Sequence, residues 1–448
     1  MTKTHGTTGP TEPMDATTRG GGAVRGGGAV RGGGAATGTG ADHVRVPRTP
    51  GLRATRPRRG PVTALSLAVV LSLAGGATAF AAGADDTTGG TSVRDAPREK
   101  LRLPRPTGPF AVGRDTLHLV DRDRRDPWVP SAGARELMVD LSYPGRHGGG
   151  RPTAYTSRRE AELLLAYGGL DRRIPAAAYS ATRTFARAGI RPAPGRFPLI
   201  VLSPGFTAPR STLTHLAEDL ASRGFVVATV DHAYESIGTA FPGGRILTCE
   251  ACEPAAEPGG GRRVTEGRAE DLSYVIDRLT GRGAAWQRSG MIDATRIGAG
   301  GHSIGGAAAL ATMTADRRVR AGVNMDGSFH TGPAGIDGRP FLMLGTEVQH
   351  TPGIEDGKNW DETWRELDGW KRWLTVAGSG HYSFTDVPVL AGQAGVVDPQ
   401  VPLSGERSAQ IPRAYVGAFF ARHLRGVPQP LLDGPTPGNP EITFRHHA

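Results

Sequence analysis

The residue best suited to do chemistry in this chain of 448 residues is Ser303, in the segment Gly301-His-Ser-Ile-Gly305. A serine hydroxyl becomes an effective nucleophile only when a neighbouring base removes its proton. Glycines on either side allow a tight backbone turn and keep side chains away from the hydroxyl. The pattern therefore predicts a nucleophilic serine at the tip of a sharp turn, and an ordinary serine in a glycine-rich loop is the alternative.

A histidine that could serve as the base is His381. The imidazole must accept the serine proton, and the glycines Gly378 and Gly380 just before it allow its loop to turn back over Ser303. The alternative is a structural histidine in a loop. Four other histidines are weaker candidates for the base: His232, His302, His330 and His350.

An acid must hold the imidazole in the correct tautomer, and two carboxylates could do so. Asp326 follows one predicted strand and Glu347 follows the next. A carboxylate at a strand end can also simply accept hydrogen bonds from nearby backbone amides. Residue types alone leave Asp326 and Glu347 open.

The attacked carbonyl also needs hydrogen-bond donors for the negative charge that develops on its oxygen. The N–H of Ile304, directly after the serine, is one candidate. The N–H of Phe206 is the other, because Ser203-Pro-Gly-Phe206 forms the loop after the first buried parallel strand. Both predicted donors are backbone groups, so no particular side chain is required.

The elements that must position these groups alternate along the chain. Two alternating apolar runs, 116–121 and 136–144, predict antiparallel strands, and residues 197–206 form a continuous apolar run typical of a buried parallel strand. Helices and strands then alternate up to residue 424. This predicts an α/β fold with a mostly parallel central sheet and helices on both faces. Predicted helices at 158–167 and 176–188 form an insertion before the first buried parallel strand, and residues 155–190 could be a lid or a fixed cover.

The order serine, acid, histidine and the strand–turn–helix around Ser303 are those of α/β-hydrolases. Within that class the chain resembles the platelet-activating factor acetylhydrolase (plasma/isoform II) family between about residues 110 and 425. Five blocks carry the resemblance: residues 198–206, 296–307, 322–327, 340–347 and 378–386.

The resemblance implies a metal-independent serine esterase or lipase with no cofactor. In that family the acid follows the same strand as Asp326, which favours Asp326 over Glu347. Its members prefer short or oxidised acyl chains on phospholipids, so a 1-alkyl-2-acetylglycerophosphocholine esterase-like activity and a small ester or lipid substrate are expected. One difference is that Pro204-Gly205 replaces the usual His-Gly of the oxyanion loop.

Two other functions remain open. Bacterial polyester hydrolases and cutinases share the Gly-His-Ser-x-Gly turn and offer an alternative substrate class. A catalytically silent envelope protein, which uses the hydrolase fold for binding, is the alternative from another functional class.

The first 60 residues differ in composition from the rest. They contain ten Lys or Arg against three Asp or Glu, a net charge of +7 out of +10 for the whole chain. The basic character therefore resides in this segment and gives no indication of nucleic acid binding. Few large apolar residues occur there, which predicts a disordered leader.

An apolar run at 61–83 follows Arg58 and Arg59, which is typical of an export signal or a membrane anchor. We therefore expect an exported protein, either secreted or held at the outer face of the cytoplasmic membrane, with membrane contact through 61–83. The predicted organisation is a leader (1–60), a signal or anchor (61–83), a linker (84–108), a catalytic domain (109–428) and a tail (429–448).

Cys249 and Cys252 are the only cysteines. An oxidising location favours a local disulfide between them. A redox or metal site would need a context that the surrounding residues do not supply, so no metal site is predicted.

Overall fold

The computed structural model describes residues 100–355 and 358–446. The predicted leader, the signal or anchor segment and residues 84–99 of the predicted linker lie outside the described residues. None of the helices in the described part of the chain combines the length and apolarity needed to cross a bilayer.

Thirteen strands occur in the described residues, eleven in one sheet and two, the seventh and eighth in chain order, in a separate hairpin. In chain order the strands are β1 (Ala111–Arg125), β2 (Ala134–Gly145), β3 (Arg151–Pro152), β4 (Arg187–Ala188), β5 (Phe197–Ser203), β6 (Val226–His232), β7 (Thr239–Phe241), β8 (Arg245–Leu247), β9 (Ile292–His302), β10 (Val319–Met325), β11 (Phe341–Thr346), β12 (Lys371–Val376) and β13 (Ile442–Arg445).

Ten α-helices connect or cover these strands within the same residues. In chain order they are α1 (Arg158–Tyr167), α2 (Ala176–Ser180), α3 (Thr214–Ser222), α4 (Cys252–Ala256), α5 (Gly260–Thr280), α6 (Ile304–Ala315), α7 (Glu347–His350), α8 (Lys358–Glu366), α9 (Val387–Gln393) and α10 (Gly405–Arg425).

The large sheet has the order β3-β4-β1-β2-β6-β5-β9-β10-β11-β12-β13. The six strands from β6 to β12 in this order are parallel, and β2 and β13 pair antiparallel to the two ends of that block. Because β5 and β9 to β11 are parallel neighbours, their carboxyl ends meet at one edge of the sheet, where ligand sites of such folds form. This is the α/β-hydrolase fold that the sequence predicted.

Apolar side chains cover both faces of the sheet. On one face α5 and α6 contribute Leu272, Val275 and Leu310 to the core. On the other face α3 and α10 contribute residues such as Leu216 and Phe419. Burial on both faces explains why the parallel strands are continuous apolar runs.

The helical insertion is present, but its second helix is shorter than predicted. Helix α2 ends at Ser180 rather than continuing to residue 188, and Arg187–Ala188 joins the sheet as β4. The hydroxyl of Thr182 donates to the Tyr179 carbonyl at 2.6 Å, a local bond that competes with helix continuation. The insertion packs through a buried cluster containing Leu165, Tyr179 and, from α9, Leu390.

Two described segments that the sequence placed outside the catalytic domain pack against it. Residues 100–108, assigned to the linker, belong to the domain: Leu101 and Leu103 are buried against the insertion, and the Leu103 N–H donates to the Arg183 carbonyl at 2.9 Å. The tail also belongs to the domain, because Ile442–Arg445 pairs with β12 as a sheet strand. Both segments look polar overall, and only a few apolar residues in each are buried.

Candidate active site

Ser303 lies at the junction between β9 and α6. Its backbone has φ 56° and ψ −131°, a left-handed conformation that non-glycine residues rarely adopt and that concentrates at functional sites. The Ser303 N–H donates to the Met325 carbonyl at 2.8 Å, which ties the turn to the end of β10. The residues around Ser303 therefore form the sharp strand–turn–helix that was predicted from the sequence.

The two flanking glycines are required by close backbone contact. A Cβ atom on Gly305 would lie 2.1 Å from the Ser203 carbonyl oxygen, and one on Gly301 would lie 2.4 Å from the same atom. The turn therefore packs directly against the end of β5, where the predicted oxyanion loop begins.

Asp326 follows β10 and is buried, with its carboxylate directed at His381. Asp326 Oδ2 lies 2.7 Å from His381 Nδ1, and Oδ1 accepts from the Thr346 N–H at 2.6 Å. Burial alone would raise the pKa of Asp326, but His350 and His381 together hold that pKa well below its ordinary value. An ionised Asp326 accepts a hydrogen bond from the Nδ1–H group of His381, which leaves Nε2 available as a base.

His381 begins a short 3-10 turn, His381–Phe384, after β12. Its ring lies 4.6 Å, centroid to centroid, from the ring of His302, the residue before the serine. No hydrogen bond joins the Ser303 hydroxyl to His381 in the described chain. Bonds of this kind are often long without substrate and shorten in the enzyme–substrate complex.

Glu347, the alternative acid, is the first residue of α7. Its Oε1 atom accepts from Arg445 Nη2 at 2.8 Å, and its side chain is 43% exposed. The side chain is therefore held by β13, whereas Asp326 is the carboxylate that contacts His381.

The two predicted oxyanion donors, the N–H groups of Phe206 and Ile304, both lack a hydrogen-bond acceptor among residues 100–355 and 358–446. Their loops are in contact: a Cβ atom on Gly205 would lie 3.4 Å from Ser303 Cβ. Unpaired N–H groups on two sides of the serine can donate to an oxygen of a bound substrate.

Two histidines that were weaker candidates for the base contact the site instead. His302 is buried, and its Nε2 atom lies 2.8 Å from the His381 carbonyl oxygen. Burial and the nearby His381 lower the pKa of His302 to about 3, so its ring is neutral. His350 Nε2 lies 3.3 Å from Asp326 Oδ1. One indication of this contact was available in the sequence, because His350 lies four residues after Thr346, the end of β11.

His232 and His330 lie elsewhere. His232 is buried at the end of β6 and bonds to Ser203 and Asp271. His330 contacts Gly261 of α5. Neither one contacts His381 or Asp326.

A polar cavity of about 630 Å³ lies between β1, β2 and the insertion. Arg114, Asp140, Tyr155, Glu160 and Arg210 contribute to its lining, and none of the three candidate catalytic residues does. Its charged groups already pair with each other, as in the 3.2 Å contact between Arg210 and Asp140. The cavity is therefore separate from the site around Ser303.

The structure contains a disulfide between Cys249 and Cys252, just before and at the start of α4. Within the described residues, no group of three or more His, Cys, Asp or Glu side chains is arranged to hold a metal ion.

Comparison with known proteins identifies relatives with a consistent chemistry. Residues 161–242 and 279–406 match the family model described as platelet-activating factor acetylhydrolase, isoform II. A ferulic acid esterase from Streptomyces cinnamoneus has a similar structure, with a TM-score of 0.68 and 45% identity, over 78% of this chain and 100% of that one.

Two relatives are similar in sequence. A probable 1-alkyl-2-acetylglycerophosphocholine esterase of Arthroderma benhamiae is 28% identical over 76% of this chain and 93% of its own length. The platelet-activating factor acetylhydrolase of Cavia porcellus is 25% identical over 51% of this chain and 58% of its own length. The names of these proteins all describe hydrolysis of carboxylic esters.

Proposed function

Because the chain belongs to the platelet-activating factor acetylhydrolase, isoform II family of α/β-hydrolases and is a carboxylic ester hydrolase, we propose that Ser303, His381 and Asp326 perform its reaction. The observation that carries the proposal is the hydrogen bond from His381 to buried Asp326, next to a serine on a left-handed turn. This arrangement has the connectivity that activates a serine nucleophile.

The reaction has two steps. Ser303 Oγ attacks the ester carbonyl while His381 Nε2 takes its proton, and the N–H groups of Phe206 and Ile304 donate to the negatively charged oxygen. The C–O bond of the ester then breaks, the alcohol leaves with the proton from His381, and an acyl-enzyme forms. Water, activated by His381, hydrolyses that intermediate and releases the acid. Asp326 stabilises the imidazolium in both steps.

The relatives and the surface near His381 both support a proposal for the substrate class. Tyr382 is 38% exposed, and its ring lies 5.6 Å from that of His381. An exposed aromatic ring there favours an acyl group with flat or apolar surface. Esters of ferulic acid, suggested by the name of the Streptomyces relative, and 1-alkyl-2-acetylglycerophosphocholine, suggested by the name of the fungal relative, are the two substrates to compare.

We further propose that the protein is exported. The apolar run at 61–83 after a basic leader supports export, and a disulfide is typical of proteins outside the cytoplasm.

The test is to assay the full chain and Ser303→Ala with p-nitrophenyl acetate and butyrate, methyl ferulate, bis(hydroxyethyl) terephthalate and an acetylated ether phospholipid. We expect Ser303→Ala to lose activity with every ester and to lose labelling by a fluorophosphonate probe. Ser211→Ala, which removes a hydroxyl from the separate polar cavity, is the matched control and should keep both. Labelling of Ser303→Ala at the wild-type rate would contradict the proposal.

A further inference from the structure

A buried chain of charged and polar side chains lies behind the loop that carries the Phe206 N–H. Arg268 of α5 is its centre: the guanidinium is 1% exposed, and Nη1 donates to the Pro204 carbonyl at 2.5 Å and to Ser203 Oγ at 3.1 Å. The Nε atom of Arg268 donates to Glu235 Oε2 at 2.7 Å. A charged donor on a backbone carbonyl forms a stronger hydrogen bond than a neutral one.

The chain continues through a second serine–histidine–aspartate sequence of hydrogen bonds. His232 Nδ1 lies 2.8 Å from Asp271 Oδ2, and His232 Nε2 lies 2.9 Å from Ser203 Oγ. Asp271 accepts a hydrogen bond from Nδ1–H of His232, so Nε2 accepts one from the Ser203 hydroxyl, whose oxygen accepts in turn from Arg268. Burial and the Arg268 charge lower the pKa of His232, which keeps that ring neutral.

These groups cannot form a second active site, because Ser203 is completely buried and its hydroxyl is bonded on both sides. Their position next to the predicted oxyanion loop indicates a structural role instead. They hold the end of β5 and the Pro204 carbonyl, only two residues before Phe206.

The same cluster also holds the loop on the far side of Phe206. The backbone carbonyl of Glu235 accepts from the Thr207 N–H at 3.0 Å, and the Ala208 N–H donates to the Gly205 carbonyl at 3.2 Å. In a trans peptide the carbonyl and the N–H point in opposite directions. Fixing the Gly205 carbonyl on Ala208 therefore directs the Phe206 N–H the other way, and that N–H is the unpaired one.

We propose that Arg268 is a positioning residue for the oxyanion loop: together with Ser203, His232 and Glu235 it fixes the direction of the Phe206 N–H. The inference rests on the proposed function, since it assigns a purpose to a donor of that site. It also explains how the loop is held although Pro204 occupies the position where the family has a histidine.

The test compares matched oxoester and thionoester substrates in the full-length protein. A thiocarbonyl sulfur is a weaker hydrogen-bond acceptor than a carbonyl oxygen, so hydrolysis of a thionoester depends less on the oxyanion donors. We expect Arg268→Gln to lower kcat for the oxoester by roughly 10- to 100-fold, with KM little changed. We expect a much smaller loss for the thionoester, so that the oxoester-to-thionoester ratio of kcat falls.

Two variants complete the design. Ser203→Ala removes one hydroxyl without changing charge, and we expect it to lower the same ratio by a smaller factor. Arg339→Gln is the matched control, because Arg339 is also buried and also donates to backbone carbonyls, those of Val319 and Met313, but contacts no part of the site. The oxoester-to-thionoester ratio of kcat for Arg339→Gln should equal that of the wild type, even if the variant is less stable.

Rates are expressed per active site, counted by complete reaction with a fluorophosphonate. Equal losses for oxoester and thionoester in both Arg268→Gln and Ser203→Ala would overturn the inference. If Arg268→Gln does not fold, the oxoester-to-thionoester ratio of kcat for Ser203→Ala alone tests the inference. Failure of the proposed function gives a different result, since the wild-type protein would then show no labelling of Ser303.

Discussion

His350 approaches Asp326 at the carboxylate oxygen that His381 does not use, with His350 Nε2 3.3 Å from Asp326 Oδ1. The His350 ring stacks on Trp360 at 3.9 Å between centroids, and Trp360 Nε1 donates to the Gly327 carbonyl at 2.7 Å. The Oδ1 atom of Asp326 is therefore held by His350, which stacks on Trp360, as well as by the Thr346 N–H.

We expect His350→Phe to lower kcat by about tenfold while KM changes little, because phenylalanine keeps the stacking on Trp360 but cannot bond to the carboxylate. A double-mutant cycle with Asp326→Asn separates this role from a loss of stability. If His350 acts through Asp326, the second substitution adds little to the first. Independent, additive losses in kcat would contradict this role.

We expect Asp326→Asn to lower kcat by roughly 10⁴-fold, as removal of the orienting carboxylate does in other serine hydrolases. Glu347→Gln is the matched control. It should change kcat by less than about twofold, because its partner is the partly exposed Arg445 and such pairs contribute little. Steady-state kinetics of both variants on one ester checks the assignment, and a larger loss in Glu347→Gln would reverse it.

We expect Gly305→Ala to abolish activity, because its Cβ atom would lie 2.1 Å from the Ser203 carbonyl and force the serine turn away from the oxyanion loop. The loss in kcat should reach at least about 100-fold, the effect of losing one oxyanion donor. Gly267→Ala is the control, since a Cβ atom there meets nothing within 4 Å and lies inside α5. It should keep full activity and raise the free energy of unfolding by about 0.5–1 kcal/mol.

Acid should destabilise the protein through His302. The pKa of His302 is about 3 in the folded chain and near 6.5 when unfolded, so the unfolded state binds more protons between these values. Above pH 6.5 His302 is neutral in both states and has no effect on the pH dependence of stability. As the pH falls below 6.5, the unfolded state takes up a proton at His302 and the free energy of unfolding decreases.

The measurement is urea unfolding of the wild type and His302→Gln at pH 7.5 and pH 5. Glutamine can still donate to the His381 carbonyl but does not titrate. We expect the wild type to lose about 2 kcal/mol more than the variant between the two pH values, from a one-site shift of this size. The same acid dependence in both proteins would assign the effect to other groups.

The sequence allowed prediction of the α/β fold and the order of its groups because both depend on local patterns. Continuous apolar runs marked the parallel strands, and Asp326 and His381 each followed one. The acid could not be chosen from residue types, since Asp326 and Glu347 both lie at strand ends. The family resemblance favoured Asp326, and in the structure the contact with His381 distinguishes Asp326 from Glu347.

Buried charges were harder to predict, although a signal existed. Arg268 and Asp271 of α5 fall on the same helical face as Leu272 and Val275, a face that the apolar pattern assigns to the core. A charged side chain on the core face of a helix needs an ion-pair or hydrogen-bond partner. The partners of Arg268 and Asp271 lie on strands and loops that are distant in the sequence. No periodicity could identify them, so the network behind Ser203 emerged only from the three-dimensional arrangement.

The contact between the Ser203 carbonyl and Gly305 has a further consequence for protein engineering. It joins the two reactive loops through main-chain atoms, so no side chain at the mouth of the site takes part in it. Libraries that vary exposed residues near the site, such as Tyr382, can therefore explore new esters without changing this main-chain contact.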